Sequence, residues 1–289
     1  MLVILGPTAS GKTYLAVQMA HQLISEGQPA EIISADSRQV YRGMDVGTGK
    51  DLSEYSIDGL SIPYHLIDIV EAGEAYNVFR YQQDFDRVLQ DILARGAVPI
   101  LCGGSGLYIE AALRPDAMLA IPPDDELRSE LETLSDTQLL DRFAQTPSDY
   151  SDKADTSTRK RLIRAIEIGT YLNAHPRSVP TRRPPLPTYR VIGLDPPVQI
   201  RRERIGRRLR NRLQHGLIEE VERLLAQGIS AETLIYYGLE YKYVTQFVLG
   251  QLPYHDMVTR LETAIHQFAK RQMTYFRKME RDGMVIEWQ

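Results

Sequence analysis

Cysteine occurs once in the 289 residues, at Cys102. A disulfide within the chain is therefore excluded, and a cysteine-rich zinc site is not expected. Long apolar runs are also missing: those present are strand-sized and fall well short of the ~20 residues that a membrane span needs. The first of them, Leu2-Val3-Ile4-Leu5, starts at once and leaves no room for a signal peptide, so a cytoplasmic protein without membrane contact is expected. With 43% of residues hydrophobic, the chain has enough for one full α/β core and a second, smaller unit, and no disorder is implied.

Positive charge is scarce in the first half only. Residues 1–158 carry 11 Lys and Arg against 25 Asp and Glu, a net of −14, whereas residues 159–289 carry 23 against 13, a net of +10. The overall −4 thus hides a basic face that belongs to the second half and points to a polyanionic partner.

The chemistry is organised by Gly6-Pro7-Thr8-Ala9-Ser10-Gly11-Lys12-Thr13, which follows that first apolar run. A strand ending at Gly6 and a helix opening at Thr13, with Leu15, Met19, Leu23 and Ile24 on one face, give the loop the setting a phosphate-binding loop requires. Its N–H groups face a di- or triphosphate, its glycines permit close approach, Lys12 supplies a point charge, and the Thr13 hydroxyl is placed to ligate Mg²⁺. The expected fold is α/β: a P-loop NTPase-like parallel sheet flanked by helices, with an inserted small helical domain.

Further strands are expected at Glu31–Asp36, Tyr64–Ile69, Val98–Cys102 and Tyr189–Leu194, with Cys102 a buried strand residue. Residues at the carboxyl ends of such strands line the ligand crevice, so Asp36 joins the phosphate loop as a candidate base, with capping of the next turn as the competing reading. Ser105, in the turn Gly103–Tyr108, is expected to cap the following helix and can also orient a neighbouring carboxylate or phosphate. From Pro115 the pattern changes to short acidic helices, read as a folded lid. Residues 1–114 and 159–289 are assigned to the core and 115–158 to the insertion. Residues 176–187, with five prolines and three arginines, read as an extended linker. Seven arginines fall within residues 201–212, and Arg204 and Arg208, four apart, share a helix face able to point into one anion site. Tyr236-Tyr237-Gly238-Leu239-Glu240-Tyr241-Lys242-Tyr243 interleaves aromatics with charge, compatible with stacking on bases or with packing between helices.

These stretches together resemble the tRNA dimethylallyltransferase (tRNA isopentenyltransferase) family. The phosphate loop, Ile33–Asp45, His65–Asp68, Gly103–Tyr108, Arg161–Glu167 and Ala269-Lys270-Arg271-Gln272 stand in that family's order and span nearly the whole chain. The resemblance implies transfer of a dimethylallyl group from dimethylallyl diphosphate to N6 of the adenosine 3′ of the tRNA anticodon, with Mg²⁺. It implies that the phosphate loop binds the donor's pyrophosphate, that Asp36 accepts the N6 proton with support from Ser105, and that Arg208, with Arg204 beside it, holds the leaving group. It marks as contacts of the tRNA anticodon stem-loop Asp36, Ser37, Arg38 and Gln39; Arg128, Lys160, Arg161 and Arg164; Tyr237, Tyr241 and Lys242; and Lys270, Arg271 and Arg277. A monomer is expected.

Three positions depart from the family pattern. Ser105 stands where threonine is usual, Gly49 where alanine is usual, and Glu240 where glycine more often precedes the Tyr-Lys pair, placing a negative charge near the expected RNA. Three rival readings stay open at this point: an adenylate isopentenyltransferase acting on a free nucleotide, a small-molecule P-loop kinase, and a tRNA-binding paralogue with a silent site. The basic second half argues against the first, and the intact Lys12, Thr13, Asp36 and Arg208 argue against the last.

Overall fold

The computed structural model describes residues 1–114, 118, 121–175 and 185–289. In chain order the strands are β1 (Leu2–Leu5), β2 (Ala30–Ala35), a hairpin of β3 (Ser56–Ile57) and β4 (Leu60–Ser61), β5 (Tyr64–His65), β6 (Val98–Gly103), β7 (Arg190–Gly193) and β8 (Glu287–Trp288). The helices are α1 (Lys12–Ser25), α2 (Val78–Ala94), α3 (Gly106–Leu113), α4 (Asp125–Glu132), α5 (Asp136–Ala144), α6 (Arg159–Ala174), α7 (Val198–Gln214), α8 (Leu217–Ala226), α9 (Ala231–Tyr237), α10 (Leu239–Val248) and α11 (Tyr254–Arg281).

All strands but the hairpin join one sheet in the order β5-β2-β6-β1-β7-β8, and every pairing in it is parallel. Side chains alternate across a strand, so Val3, Leu5, Ile33, Ala35 and Leu101 enter one core while Ile4, Ile32, Ile100 and Cys102 enter another on the opposite face. Helices cover both faces, which is why these strands read as continuous apolar runs rather than alternating ones. Cys102 is the buried strand residue expected, and burial pushes its thiol up to about 12. Helix α1 meets the sheet chiefly through Ala16, Val17 and Ala20, with Leu15, Met19, Leu23 and Ile24 half-buried around them.

One strand is shorter than expected. The run Tyr64–Ile69 leaves the sheet after His65, because Leu66 and Asp68 take left-handed φ angles of 61° and 55°. The cause is Lys50, only 2% exposed, whose ammonium donates to the Tyr41 carbonyl at 2.6 Å, to Asp45 at 2.7 Å and to Asp68. A buried ammonium needs fixed acceptors, and Asp68 must turn inward to be one.

The chain forms two compact units, Met1–Leu113 with Pro185–Gln289, and Arg114–Pro184. The insertion therefore extends beyond the expected boundary at residue 158. Leu162, Ile163 and Ile166 of α6 close a separate core with Leu131 of α4 and Leu139 of α5, which draws α6 into the smaller unit. The linker expected over residues 176–187 lies outside the described residues as far as residue 184. Among the described residues no helix is long and apolar enough to cross a membrane.

Candidate active site

The carboxyl ends of β1, β2 and β6 bring the phosphate loop, Asp36 and Ser105 to one place in the larger unit. They open onto a pocket of about 410 Å³ whose walls include Thr8, Lys12, Thr13, Asp36, Ser105 and Arg208. Gly6 is required where the loop begins: a Cβ there would stand 2.6 Å from Ser10 Oγ and 3.1 Å from the Leu194 carbonyl. The loop then turns through Ala9 at φ 60° and Gly11 at φ 93°. Lys12 Nζ donates to the Pro7 carbonyl at 3.4 Å, and burial holds this ammonium below the usual lysine range. The Ser10 hydroxyl is buried with no hydrogen-bond partner among the described residues. Three or more His, Cys, Asp or Glu side chains grouped to hold a metal are absent among the described residues. The donor set fits a cation shared between the Thr13 hydroxyl and phosphate oxygens, as Mg²⁺ commonly is.

Asp36 follows the last residue of β2. Its Oδ1 accepts from the backbone N–H of Arg38 at 2.8 Å and of Gln39 at 3.4 Å, so the capping and functional readings both apply to one carboxylate. Ser105 acts on this turn differently from expectation. Its hydroxyl accepts the Ser37 N–H at 3.2 Å while its own N–H donates to the Ala35 carbonyl at 3.2 Å. It thus positions Asp36 through the backbone rather than by touching the carboxylate. The N–H groups of Tyr108 and Ile109 at the start of α3 bond the Ser105 carbonyl, not the hydroxyl.

The arginine face of α7 is also rearranged. Arg204 donates to the Ser10 carbonyl at 3.2 Å and braces the loop, whereas Arg208 and Arg212 are the two that line the pocket. Arg208 donates to Asp51 at 2.7 Å and to the Gly49 carbonyl at 3.3 Å. Arg212 lies 3.8 Å from Asp51 and 3.7 Å from Glu240. Glu240 thus stands in the pocket wall as a counter-ion to Arg212; burial raises its carboxyl, and Arg212 opposes that shift.

Sequence spacing missed two further groups. Gln272 is 8% exposed; its side-chain oxygen accepts the Thr8 N–H at 2.8 Å and its amide donates to the Gly104 carbonyl at 2.8 Å, tying α11 to both phosphate-site turns. Glu220 of α8 accepts from the N–H groups of Asp45, Val46 and Gly47 at 2.8, 2.8 and 3.0 Å and from the Tyr241 hydroxyl at 2.7 Å. It fixes the loop that carries Gly49 and Asp51.

A family model described as IPP transferase matches residues 39–279. The chain belongs to the IPP transferase family. It is 54% identical over 289 residues to tRNA dimethylallyltransferase 2 of Porphyromonas gingivalis, covering 100% of this chain and 93% of that protein. A tRNA dimethylallyltransferase 1 of Parabacteroides distasonis is 50% identical over 293 residues, covering 100% and 91%. The crystal structure of a tRNA isopentenylpyrophosphate transferase from Staphylococcus epidermidis matches with a TM-score of 0.66 at 30% identity, over 100% of this chain and 92% of that one. A eukaryotic dimethylallyltransferase captured acting on tRNA shares the fold, with a TM-score of 0.78 at 22% identity over 100% and 73%.

The residues that the IPP transferase resemblance marks as tRNA contacts divide into presented and internal groups. Arg271 and Lys242 line the pocket, and Lys270 is exposed. Arg38 also lines it, with its guanidinium 5.4 Å from the ring of Tyr236, which is 67% exposed. Tyr237 and Tyr241 also border the pocket but are almost wholly buried. Tyr237 packs on Tyr41 with ring centroids 4.5 Å apart, and Tyr241 is bound to Glu220, whereas Tyr236 is the tyrosine most exposed beside the pocket. Gln39 has both ends engaged, accepting from Ser34 Oγ at 3.1 Å and donating to the Gly49 carbonyl at 3.1 Å. Arg277 pairs with Asp195 and Glu280 and lies 4.1 Å over the Trp288 ring.

In the smaller unit, Arg128 and Arg164 converge on the buried Glu167. Arg164 also donates to the carbonyls of Met118, Ile121 and Pro122, so it closes a loop of its own unit. Lys160 and Arg161 remain exposed, Arg161 paired with Asp155 at 2.7 Å.

Proposed function

We propose that this chain transfers a dimethylallyl group from dimethylallyl diphosphate to N6 of the adenosine 3′-adjacent to a tRNA anticodon, releasing pyrophosphate. The reading rests on one observation above all: a phosphate loop, an acceptor carboxylate and an arginine open onto a single pocket in a member of this family. The amine attacks the allylic C1, the C1–O bond breaks, and its electron pair leaves with the diphosphate. Positive charge grows on carbon and negative charge on oxygen. Loop N–H groups, Lys12 and Arg208 face the second of these, and such fixed donors are commonly the largest single contribution to rate.

Asp36 Oδ1 is occupied by two backbone N–H groups, which leaves Oδ2 to receive the N6 proton as attack proceeds. A base so placed contributes about 10²–10⁴-fold. Mg²⁺, bound by Thr13 and the phosphates, would neutralise part of the leaving group's charge. Ile235, Ile265 and Phe268 give the pocket an apolar wall that keeps water from the allylic cation. The target base must leave the anticodon stack to reach Asp36, and Arg38, Tyr236, Lys270 and Arg271 form the cationic and aromatic surface on which the loop would rest. The enzyme would act as a monomer in the cytoplasm, where its tRNA substrate is.

The test is transfer of label from radiolabelled dimethylallyl diphosphate to an anticodon stem-loop, beside free AMP. Label in the RNA is expected; label in AMP alone would overturn the tRNA reading.

A further inference from the structure

Arg212 of α7 is a buried cation with an unfilled donor. Its side chain is only 11% exposed, and Nη2 is buried with no hydrogen-bond partner among the described residues. Its two carboxylate neighbours, Asp51 at 3.8 Å and Glu240 at 3.7 Å, lie beyond hydrogen-bonding distance. They balance its charge without filling its donors. A buried charge left in that condition is costly, and a fold that keeps one in a pocket wall has an acceptor to offer it.

The surroundings are shaped to admit this side chain. Gly49 has φ +66°, and a Cβ there would stand 1.6 Å from Arg212 Nη2 and 2.4 Å from Arg208 Nη2. The two guanidinium groups therefore meet the same glycine from one helix face. Glu240 lies 3.7 Å from Arg212 on its other side, so Gly49 and Glu240 both sit around one arginine. Burial lowers the Arg212 guanidinium to about 10, with Arg208 the next cause, and it stays cationic at neutral pH. Two like charges one turn apart repel unless an anion lies between them, and here Asp51 meets both.

We infer that Arg212 is a second diphosphate-binding cation, acting with Arg208 on the leaving group, and that Gly49 and Glu240 provide its space and its aim. The inference rests on the proposed prenyl transfer for the identity of the ligand, but its chemistry requires only a diphosphate. Binding exchanges the Asp51 carboxylate for diphosphate oxygens on Arg208, and the unfilled Nη2 donor of Arg212 gains an acceptor. The bidentate reach of two guanidinium groups would favour the doubly charged end of a diphosphate over a carboxylate.

The test is calorimetric titration of inorganic pyrophosphate into the whole protein and into Arg212→Gln. The expected loss of affinity is about tenfold to a hundredfold, the worth of a charge-assisted hydrogen bond. Arg212→Lys should recover part of it, and affinity for an anticodon stem-loop should not move, which separates ligand binding from general damage. Gly49→Ala reaches the same group in a chain with Arg212 intact: it should weaken pyrophosphate binding in the native background and have a smaller effect in the Arg212→Gln background. Equal pyrophosphate affinity in the native protein and Arg212→Gln, or equal effects of Gly49→Ala in both, would overturn the inference. Dimethylallyl diphosphate and ADP titrated in turn separate a prenyl from a nucleoside source of the diphosphate. Loss of both on Arg212→Gln supports the assignment even if ADP binds the tighter, an outcome that would overturn the prenyl reading alone.

Discussion

The side-chain oxygen of Gln272 accepts the backbone N–H of Thr8 at 2.8 Å across 264 residues of sequence. The same amide group holds the Gly104 carbonyl, so one side chain sets the spacing between the phosphate loop and the turn that carries Ser105. Gln272→Ala should therefore lower kcat/KM for the prenyl donor by about 10²-fold, the scale of a small misplacement of reacting groups. Stem-loop affinity, measured separately, should change little.

Asp36→Asn keeps an Oδ1 able to accept from Arg38 and Gln39 but cannot take a proton at N6. Single-turnover transfer should fall by about 10²–10⁴-fold. Donor binding should be retained, and a variant that transferred label at the native rate would remove Asp36 from its role.

Burial holds Lys12 below 10.5, the ordinary value of its side chain. Diphosphate binds the charged form, so affinity is full while Lys12 is protonated and declines as pH rises through its lowered value. Pyrophosphate titrations between neutral and alkaline pH should show this loss beginning earlier than an ordinary lysine would give. In Lys12→Gln affinity should be weaker throughout, and that contribution to the alkaline slope should vanish.

Glu220 is 5% exposed and receives three backbone N–H groups and one hydroxyl. Glu220→Ala strands all four donors. Unfolding in urea should show a loss of at least about 3 kcal/mol, and Arg208 should lose its register with Asp51, visible as weaker pyrophosphate binding in the fraction that folds.

The placement of the phosphate loop and Asp36 at one pocket was legible in the sequence because it depends on residue type, local spacing and the end of a strand. The i, i+4 arithmetic that paired Arg204 with Arg208 extends to Arg212, but nothing local says which two of the three reach the pocket. That choice is made by Ser10, Gly49 and Glu240, from three other segments. The two readings of Tyr237 and Tyr241 stayed open for the same reason: an aromatic beside a charge looks alike whether it faces RNA or packs on Tyr41 and Glu220, and the structure shows the packing. Arg164 sat in a basic cluster, and it is Glu167 with the carbonyls of Met118, Ile121 and Pro122 that turns it inward. The short β5 could not be foreseen from its apolar pattern, since the break comes from the demand of a distant lysine. Gln272 stands in a stretch that carries the family resemblance, but nothing local says that its amide reaches Thr8 and Gly104.

The sheet order has a consequence for how the chain is made. Leu2–Leu5 lies between Ile100–Gly103 and Arg190–Gly193, so this strand gains its second neighbour only after the smaller unit has been synthesised. The smaller unit is continuous in sequence and closes its own core from neighbouring helices. Local contacts form quickly and distant parallel pairings slowly. During translation the larger unit is thus a waiting assembly of apolar strands, and the Thr8 N–H of its phosphate loop gains its Gln272 acceptor only after the helix bearing that residue has been made.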